Sequence, residues 1–170
     1  MDTIAIVGSG ETALSLLVSA LTHGLDVVAI SPQPDAQRLA VKKRSGSRLR
    51  STVDAFVRFT DDLDEVGECS LVIDCTEDAA PEARAQALRA LEDRMTSGAI
   101  LASAEKDLTG LSALLSRPAQ FVGIRPVAGQ ARPRVTITEE TALGVADAAD
   151  RFSSLLGAHE SSSRPLSATV

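Results

Sequence analysis

The chain begins with a short apolar run, Thr3 to Val7, that ends at Gly8, the pattern of a strand buried on both faces of a parallel sheet. From Glu11 the period changes: Leu14, Leu17, Val18 and Leu21 recur at helical spacing, and Gly24 stands where a helix C-cap glycine would. Asp26 to Ile30 reads as a second buried strand, stopped by Ser31-Pro32-Gln33-Pro34. The basic, polar stretch that follows, with Arg38, Lys42, Lys43, Arg44, Arg48 and Arg50, lacks apolar periodicity and is expected to be a solvated face, partly helical at best. Phe56 to Phe59 predicts a third strand and Ser70 to Asp74 a fourth, joined by the acidic connection Asp61 to Glu68. Pro81 to Met95 predicts a helix, with Pro81 in its first turn and Leu88, Leu91 and Met95 on one face.

Further along, Ala99 to Ala102 predicts a fifth strand, Leu108 to Leu115 a short helix, and Phe121 to Ile124 a sixth strand. Val135 to Thr138 reads as a strand of alternating type, and Val145, Ala149, Phe152 and Leu156 mark a final helix. Residues 157–170 form a Ser-rich tail in which Leu166 to Val170 could add an edge strand. Strands alternating with helices predict a single doubly wound α/β domain of Rossmann type over residues 1–156, mostly parallel, with strand order 3-2-1-4-5-6.

Composition narrows the function classes. With 170 residues and 44% hydrophobic content, one core is expected. Aromatics are only 2% of the chain, which weakens any reading as a base-stacking platform for single-stranded nucleic acid, and a net charge of −6 offers no attraction to phosphate backbones or anionic membranes. No apolar run reaches the roughly 20 residues of a membrane span. A cytoplasmic protein is expected, with no nucleic-acid and no membrane partner. Cys69 and Cys75 flank or touch the apolar run Leu71-Val72-Ile73 and read as core thiols rather than redox or metal groups. His23 and His159 read as structural or solvent-facing, and no metal site is indicated.

The strongest chemical signal is Gly8-Ser9-Gly10-Glu11-Thr12-Ala13, which fits G-x-G-x-x-G/A at a strand-to-helix turn. Gly8 would make the turn, Gly10 would admit a diphosphate close to the backbone, and Ala13 would let helix and strand pack closely. Free N–H groups at the helix start would receive the diphosphate. Glu11 is awkward there unless its side chain turns outward. Strand two ends in Ser31 rather than the acid that usually accepts from the ribose 2′-hydroxyl of NAD. Arg38, with Lys42 or Lys43, could instead neutralise a 2′-phosphate, so NAD and NADP are both compatible. Thr76 and Ser103, each just beyond or at the end of a strand, complete the candidate cofactor set of Gly8, Ser9, Gly10, Glu11, Ala13, Ser31 and Arg38.

Four segments in order, Ile4 to Gly10, Leu71-Val72-Ile73-Asp74, Ala99-Ile100-Leu101-Ala102-Ser103 and Phe121-Val122-Gly123-Ile124, resemble the strand-one fingerprint, the "D-L-V-I-E-A" strand, the "A-I-L-A-S-N-T-S" strand and the "V-G-x-H-F-F-N-P" segment of the 3-hydroxyacyl-CoA dehydrogenases. The resemblance spans about residues 3–156 and implies that family's cofactor domain and its NAD-dependent oxidation of a 3-hydroxyacyl thioester. It also implies departures. The family's catalytic His falls on Arg125, a permanent cation that cannot act as a base, and its partner Glu falls on Thr136. The segment that positions nicotinamide and substrate reads Ser103-Ala104-Glu105-Lys106-Asp107 and keeps only its first Ser. Asp74 stands for the first acid after strand four, and Glu77 or Asp78 for the second. The helical pair between strands two and three has only Ser31 to Ala55 to occupy, and the family's C-terminal helical domain is expected to be missing, since the sequence runs to Val170.

Two function classes follow. One is a dinucleotide-binding domain with a regulatory or scaffold role, self-associating or joined to a partner subunit. The other is a divergent oxidoreductase in which Lys106, Asp107 or Arg125 has a new role, or which a partner completes. Arg125 could clamp a carboxylate or phosphate; Lys106 with Asp107 could be a proton-transfer pair, or merely solvated.

Overall fold

The computed structural model describes residues 3–77 and 79–157. Seven strands form one sheet in the order β3-β2-β1-β4-β5-β6-β7: β1 (Ile4–Val7), β2 (Val27–Ile30), β3 (Val57–Thr60), β4 (Leu71–Asp74), β5 (Ile100–Ser103), β6 (Phe121–Arg125) and β7 (Arg134–Ile137). β1 pairs in parallel with β2 on one side and with β4 on the other, so chain order reverses beside β1 and opens a crevice at the strands' C-terminal ends. The expected order is met, with β7 added antiparallel to β6 as an edge.

Alternation along each strand divides the core. Ile4, Ile6, Val27, Ala29, Ile73, Val122 and Ile124 face one layer; Ala5, Val28, Ile30, Val72, Leu101 and Phe121 face the other. The first layer is closed by helix α1 (Glu11–Thr22), by α2 (Pro34–Arg44) through Val41, and by α6 (Leu143–Gly157) through Ala149, Phe152 and Leu156. The second is closed by α5 (Pro81–Glu92) through Leu88 and Leu91, and by the turns around Val66, Leu108, Leu111 and Leu115. On α1 the buried face is Ala13, Leu16, Leu17, Ala20 and Leu21, rotated from the expected one, with Leu14 and Val18 at its margin. That helix ends as expected at Gly24, whose φ of +66° lets the Gly24 N–H reach the Leu21 carbonyl and the Leu25 N–H the Ala20 carbonyl.

Two expectations are corrected. The basic stretch is helical: α2 is followed by the short helices α3 (Gly46–Arg50) and α4 (Val53–Phe56), which shifts β3 one residue past the predicted start. Its only buried α2 residues are Gln37 and Val41, so apolar periodicity carried no signal; Pro34 at the start, Asp35 in the first turn and Lys42, Lys43 and Arg44 in the last supply the helix signals instead. Conversely, Leu108 to Leu115 is not a helix. Leu108, Leu111 and Leu115 are buried at helical spacing, but Gly110 takes φ +79° and only a 3₁₀ turn forms, at Ser112–Leu114. Asp78, His159 and the proposed edge strand Leu166 to Val170 lie outside the described residues.

Candidate functional site

The Gly8 to Ala13 loop sits at the C-terminal end of β1, between β2 and β4, where the order of strands reverses. Gly8 has φ +123°, and a Cβ there would stand 2.9 Å from the carbonyl carbon and oxygen of Cys75. Only glycine suits that position. Its carbonyl accepts from Gln37 Nε2 at 2.7 Å, which fastens α2 to the loop. Gly10 is the N-cap of α1 and begins the helix, with Leu14 N–H donating to its carbonyl at 3.0 Å. Ala13 is fully buried, as the close packing of α1 on the sheet requires. Glu11 turns outward and pairs with Arg44, which removes its carboxylate from the loop.

Glu77 fills the space that Gly10 leaves open. A Cβ on Gly10 would overlap the Glu77 carboxyl group, and Glu77 Oε1 accepts from Thr12 N–H at 3.1 Å. An anion therefore already occupies the N-terminus of α1, supplied by the chain itself. It sits where the N–H groups and helix dipole favour negative charge.

Two clefts open on either side of Thr76 and Glu77. The first, of about 670 Å³, is lined by the glycine loop, Ile30, Ser31, Pro32, Asp61 and Leu63. Ser31 donates its N–H to the Thr60 carbonyl at 3.0 Å, but its buried Oγ has no partner. Asp61, just beyond β3, is an exposed carboxylate facing the same cleft; sequence reading passed over it as part of an acidic connection. The second cleft, of about 310 Å³, is lined by Thr12, Cys75, Thr76, Glu77, Ala104, Glu105, Lys106 and Arg125, at the ends of β4, β5 and β6. A further groove of about 520 Å³, lined by Ile4, Leu71, Ile100, Phe152 and Leu155 among others, opens at the opposite ends of the strands and is largely apolar.

Beneath the second cleft lies a buried charge network that no local motif announced. Arg84 of α5 is 6% exposed and Asp74 of β4 is 1% exposed. Arg84 Nη2 lies 2.7 Å from Glu105 Oε1, and Nη1 lies 3.8 Å from Asp74 Oδ2. Asp74 Oδ1 accepts from the Thr76 N–H at 3.1 Å and the Thr76 hydroxyl at 2.6 Å, while Oδ2 has no hydrogen bond. Burial raises the Asp74 pKa above its ordinary 3.8, against the opposing pull of Thr76 and then Arg84.

The candidate cofactor residues divide accordingly. Gly8, Ser9, Gly10, Ser31 and Thr76 come together around the first cleft. Ala13 supports it from below. Ser103 is fully buried and accepts from the Glu105 N–H at 3.2 Å, so it shapes the turn after β5 without lining either cleft. Arg38 is directed to Asp54 at 3.4 Å and stacks over the Phe59 ring at 5.6 Å; Lys42 also pairs with Asp54. Neither cation lines the first cleft. Lys106 lines the second cleft and Asp107 does not; Asp107 Oδ1 accepts from the Thr109 N–H at 2.8 Å, and its pKa is held low chiefly by the Thr109 hydroxyl and N–H. Arg125 ends β6 opposite Arg134 of β7, and Thr136 pairs with Gly123, two residues back along the strand. Both cysteines are buried free thiols; burial pushes Cys69 up to about 11 and Cys75 further, as inert core thiols behave. No described helix is long and apolar enough to cross a membrane.

No protein-family model matches the chain, and no curated protein matches it by sequence. Solved structures do. (S)-3-hydroxybutyryl-CoA dehydrogenase PaaH1 from Ralstonia eutropha aligns over 92% of this chain and 61% of its own, with TM-score 0.80 and 21% identity. The 3-hydroxybutyryl-CoA dehydrogenase of Escherichia coli K12 aligns over 92% of this chain and 36% of its own, with TM-score 0.81 and 17% identity. An NAD+-dependent dismutase, 5-formyl-3-hydroxy-2-methylpyridine 4-carboxylic acid 5-dehydrogenase, aligns over 92% and 56%, with TM-score 0.75 and 24% identity. The chain thus spans about three-fifths or less of these dehydrogenases and shares the fold of their N-terminal nucleotide-binding part, as the sequence resemblance implied.

Proposed function

We propose that this chain binds a nicotinamide dinucleotide across its two clefts and does not perform 3-hydroxyacyl-CoA dehydrogenation with its own side chains. The observation that carries the reading is the glycine loop: Gly8 at φ +123°, with no room for a side chain, turns the chain so that α1 aims its N-terminus into a crevice where strand order reverses. The Glu77 carboxylate at that N-terminus is a stand-in anion, and it supports a diphosphate as the group the position accepts. The residues present fit the group. Ser9, Gly10 and Thr12 would hold the diphosphate, Ser31 with its unpartnered Oγ and Asp61 would face the adenosine, and Thr76 would lie beside the nicotinamide half. When bound, the nicotinamide supplies hydride donation or acceptance.

What the end of β6 lacks is the base. Arg125 occupies the position that the resemblance gives to the catalytic His, and it has no lone pair with which to take a hydroxyl proton. Its neighbour across the β6–β7 pair is Arg134, not a carboxylate that could orient an imidazole. Titration of the purified chain with NADH and NADPH, followed by assay with 3-hydroxybutyryl-CoA and acetoacetyl-CoA, tests both halves of the reading. Saturable dinucleotide binding without turnover is expected. Absence of binding removes the first half, and robust turnover by the isolated chain removes the second.

A further inference from the structure

The second cleft holds an uneven set of charges. Glu105 is matched by Arg84 at 2.7 Å, and the Glu77 carboxylate is committed to the Thr12 N–H at 3.1 Å. Asp107, next in sequence, is turned away to its own Thr109 N–H. Lys106 and Arg125 remain. Both line the cleft, one just beyond β5 and the other at the end of β6, and among the described residues neither makes an ion pair or side-chain hydrogen bond. Arg125 is half-buried, where a guanidinium without a partner has lost part of its hydration with nothing in return. Two such cations converging on one concave space of about 310 Å³ favour a small anion between them.

We infer that this cleft binds the carboxylate of a small organic acid, held by the Arg125 guanidinium with Lys106 as second cation, next to the nicotinamide position. The planar fork of arginine matches the two oxygens of a carboxylate, while the point charge of lysine accepts either oxygen without angular demand. A 3-hydroxyacyl thioester has no charge at its reacting end, so Arg125 would desolvate there without compensation; an oxo- or hydroxy-acid supplies the missing partner. Arg125 is in this sense a specificity-determining residue: the substitution that removes the base creates an anion clamp. The inference rests on the dinucleotide reading only for what lies beside the acid.

The probes are malonate, its neutral isostere malonamide, and inorganic phosphate, titrated calorimetrically into the purified chain at fixed ionic strength, with and without NADH. Saturable malonate binding is expected, weakened at least tenfold in Arg125→Gln and measurably in Lys106→Gln, with malonamide at least tenfold weaker than malonate and phosphate weaker than malonate. Thermal melts of both variants should match the parent, since neither side chain makes a hydrogen bond or ion pair with a described residue. Malonate binding unchanged in both variants, or matched by malonamide, overturns the site; phosphate binding tighter than malonate overturns the carboxylate assignment. NADH binding without malonate binding sinks this inference alone. Malonate binding without NADH binding upholds it and sinks only the dinucleotide reading.

Discussion

On the adenosine side of the cleft the chain shapes itself with backbone, whereas on the β5–β6 side it does so with charge. Around Gly8 and Gly10 the decisive features are a φ angle, a missing Cβ and the first N–H groups of α1. Around β5 and β6 they are Asp74, Arg84, Glu105, Lys106 and Arg125, brought together from β4, α5, the turn after β5 and the end of β6. On the proposed reading the first half would receive a diphosphate and has little to choose with. The second half would decide the chemistry, and it is there that the sequence resemblance implies a departure from the dehydrogenases whose fold this chain shares.

The largest expected effect lies on the charged side. Replacing Arg84 with Leu leaves Asp74 and Glu105 without their cation, and breaking a buried pair in this way costs about 3–5 kcal/mol. The pH dependence has a definite sign. Burial places the Asp74 pKa above its ordinary 3.8 in the folded chain, so its contribution to stability is greatest when it is protonated and is lost as pH rises through the raised folded value. Arg84 opposes that loss, so the deficit of Arg84→Leu should be larger at pH 8 than at pH 5. Urea denaturation of parent and variant across that range checks it; a deficit independent of pH would mean that Asp74 and Arg84 are not coupled.

Next in size is a change on the backbone side. Gly8→Ala forces an L side chain to φ +123° and drives its Cβ against the Cys75 carbonyl; strain and overpacking together should cost about 2–4 kcal/mol. The loss here should not vary with pH between 5 and 8, because no titrating group is involved. Equal pH profiles for Gly8→Ala and Arg84→Leu would erase the contrast between the two halves.

The same contrast explains what the sequence made legible. A glycine that needs positive φ, placed between an apolar run and a helical period, carries its reason within a few residues, and so the loop, the sheet order and the first cleft were readable. Arg84 sits inside a helix pattern as one more polar residue, ten positions from Asp74 and twenty-one from Glu105, and nothing local says that it points inward. Glu77 was readable as an acid after strand four, but its seat on Gly10 depends on how two loops meet in space. The stretch Leu108 to Leu115 misled for the opposite reason: its leucines keep helical spacing because they face one core layer, while Gly110 lets the backbone reach that layer by turns.

Glu77 joins the two halves, and changing it should sharpen the comparison at intermediate size. Glu77→Gln keeps the length and an acceptor for the Thr12 N–H but removes the charge. The α1 terminus should lose about 1 kcal/mol of stabilisation, as a neutral cap replaces a charged one. Dinucleotide affinity should move the other way, rising about tenfold, or about 1.4 kcal/mol, because the diphosphate no longer displaces an anion. Fluorescence titration with NADH alongside thermal melting reads both. If stability and affinity fall together, Glu77 supports the site rather than occupying it.

The smallest expected effect concerns the choice between NAD and NADP. Ser31 leaves no carboxylate at the end of β2 to repel a 2′-phosphate, yet two of the three cations expected to receive one are occupied: Arg38 and Lys42 share Asp54, whose carboxyl is held below the usual range first by its hydrogen bond to Lys42. Parent protein should therefore bind NADH and NADPH within tenfold of each other. Asp54→Asn releases both cations while keeping the side chain's size, and the ratio should then shift toward NADPH by about threefold at low salt. These groups are exposed, so the shift should shrink as ionic strength rises past the point where the screening length falls below about 10 Å. The sign is what discriminates. A shift toward NADPH that salt abolishes places Arg38 within electrostatic reach of the ribose; a ratio that does not move confines cofactor choice to Ser31 and to Asp61, the one acid facing the first cleft besides Glu77 among the described residues. Asp61→Asn would then be the variant that favours NADPH, and its effect should persist at salt concentrations that silence Asp54→Asn only if the 2′-phosphate lies against it.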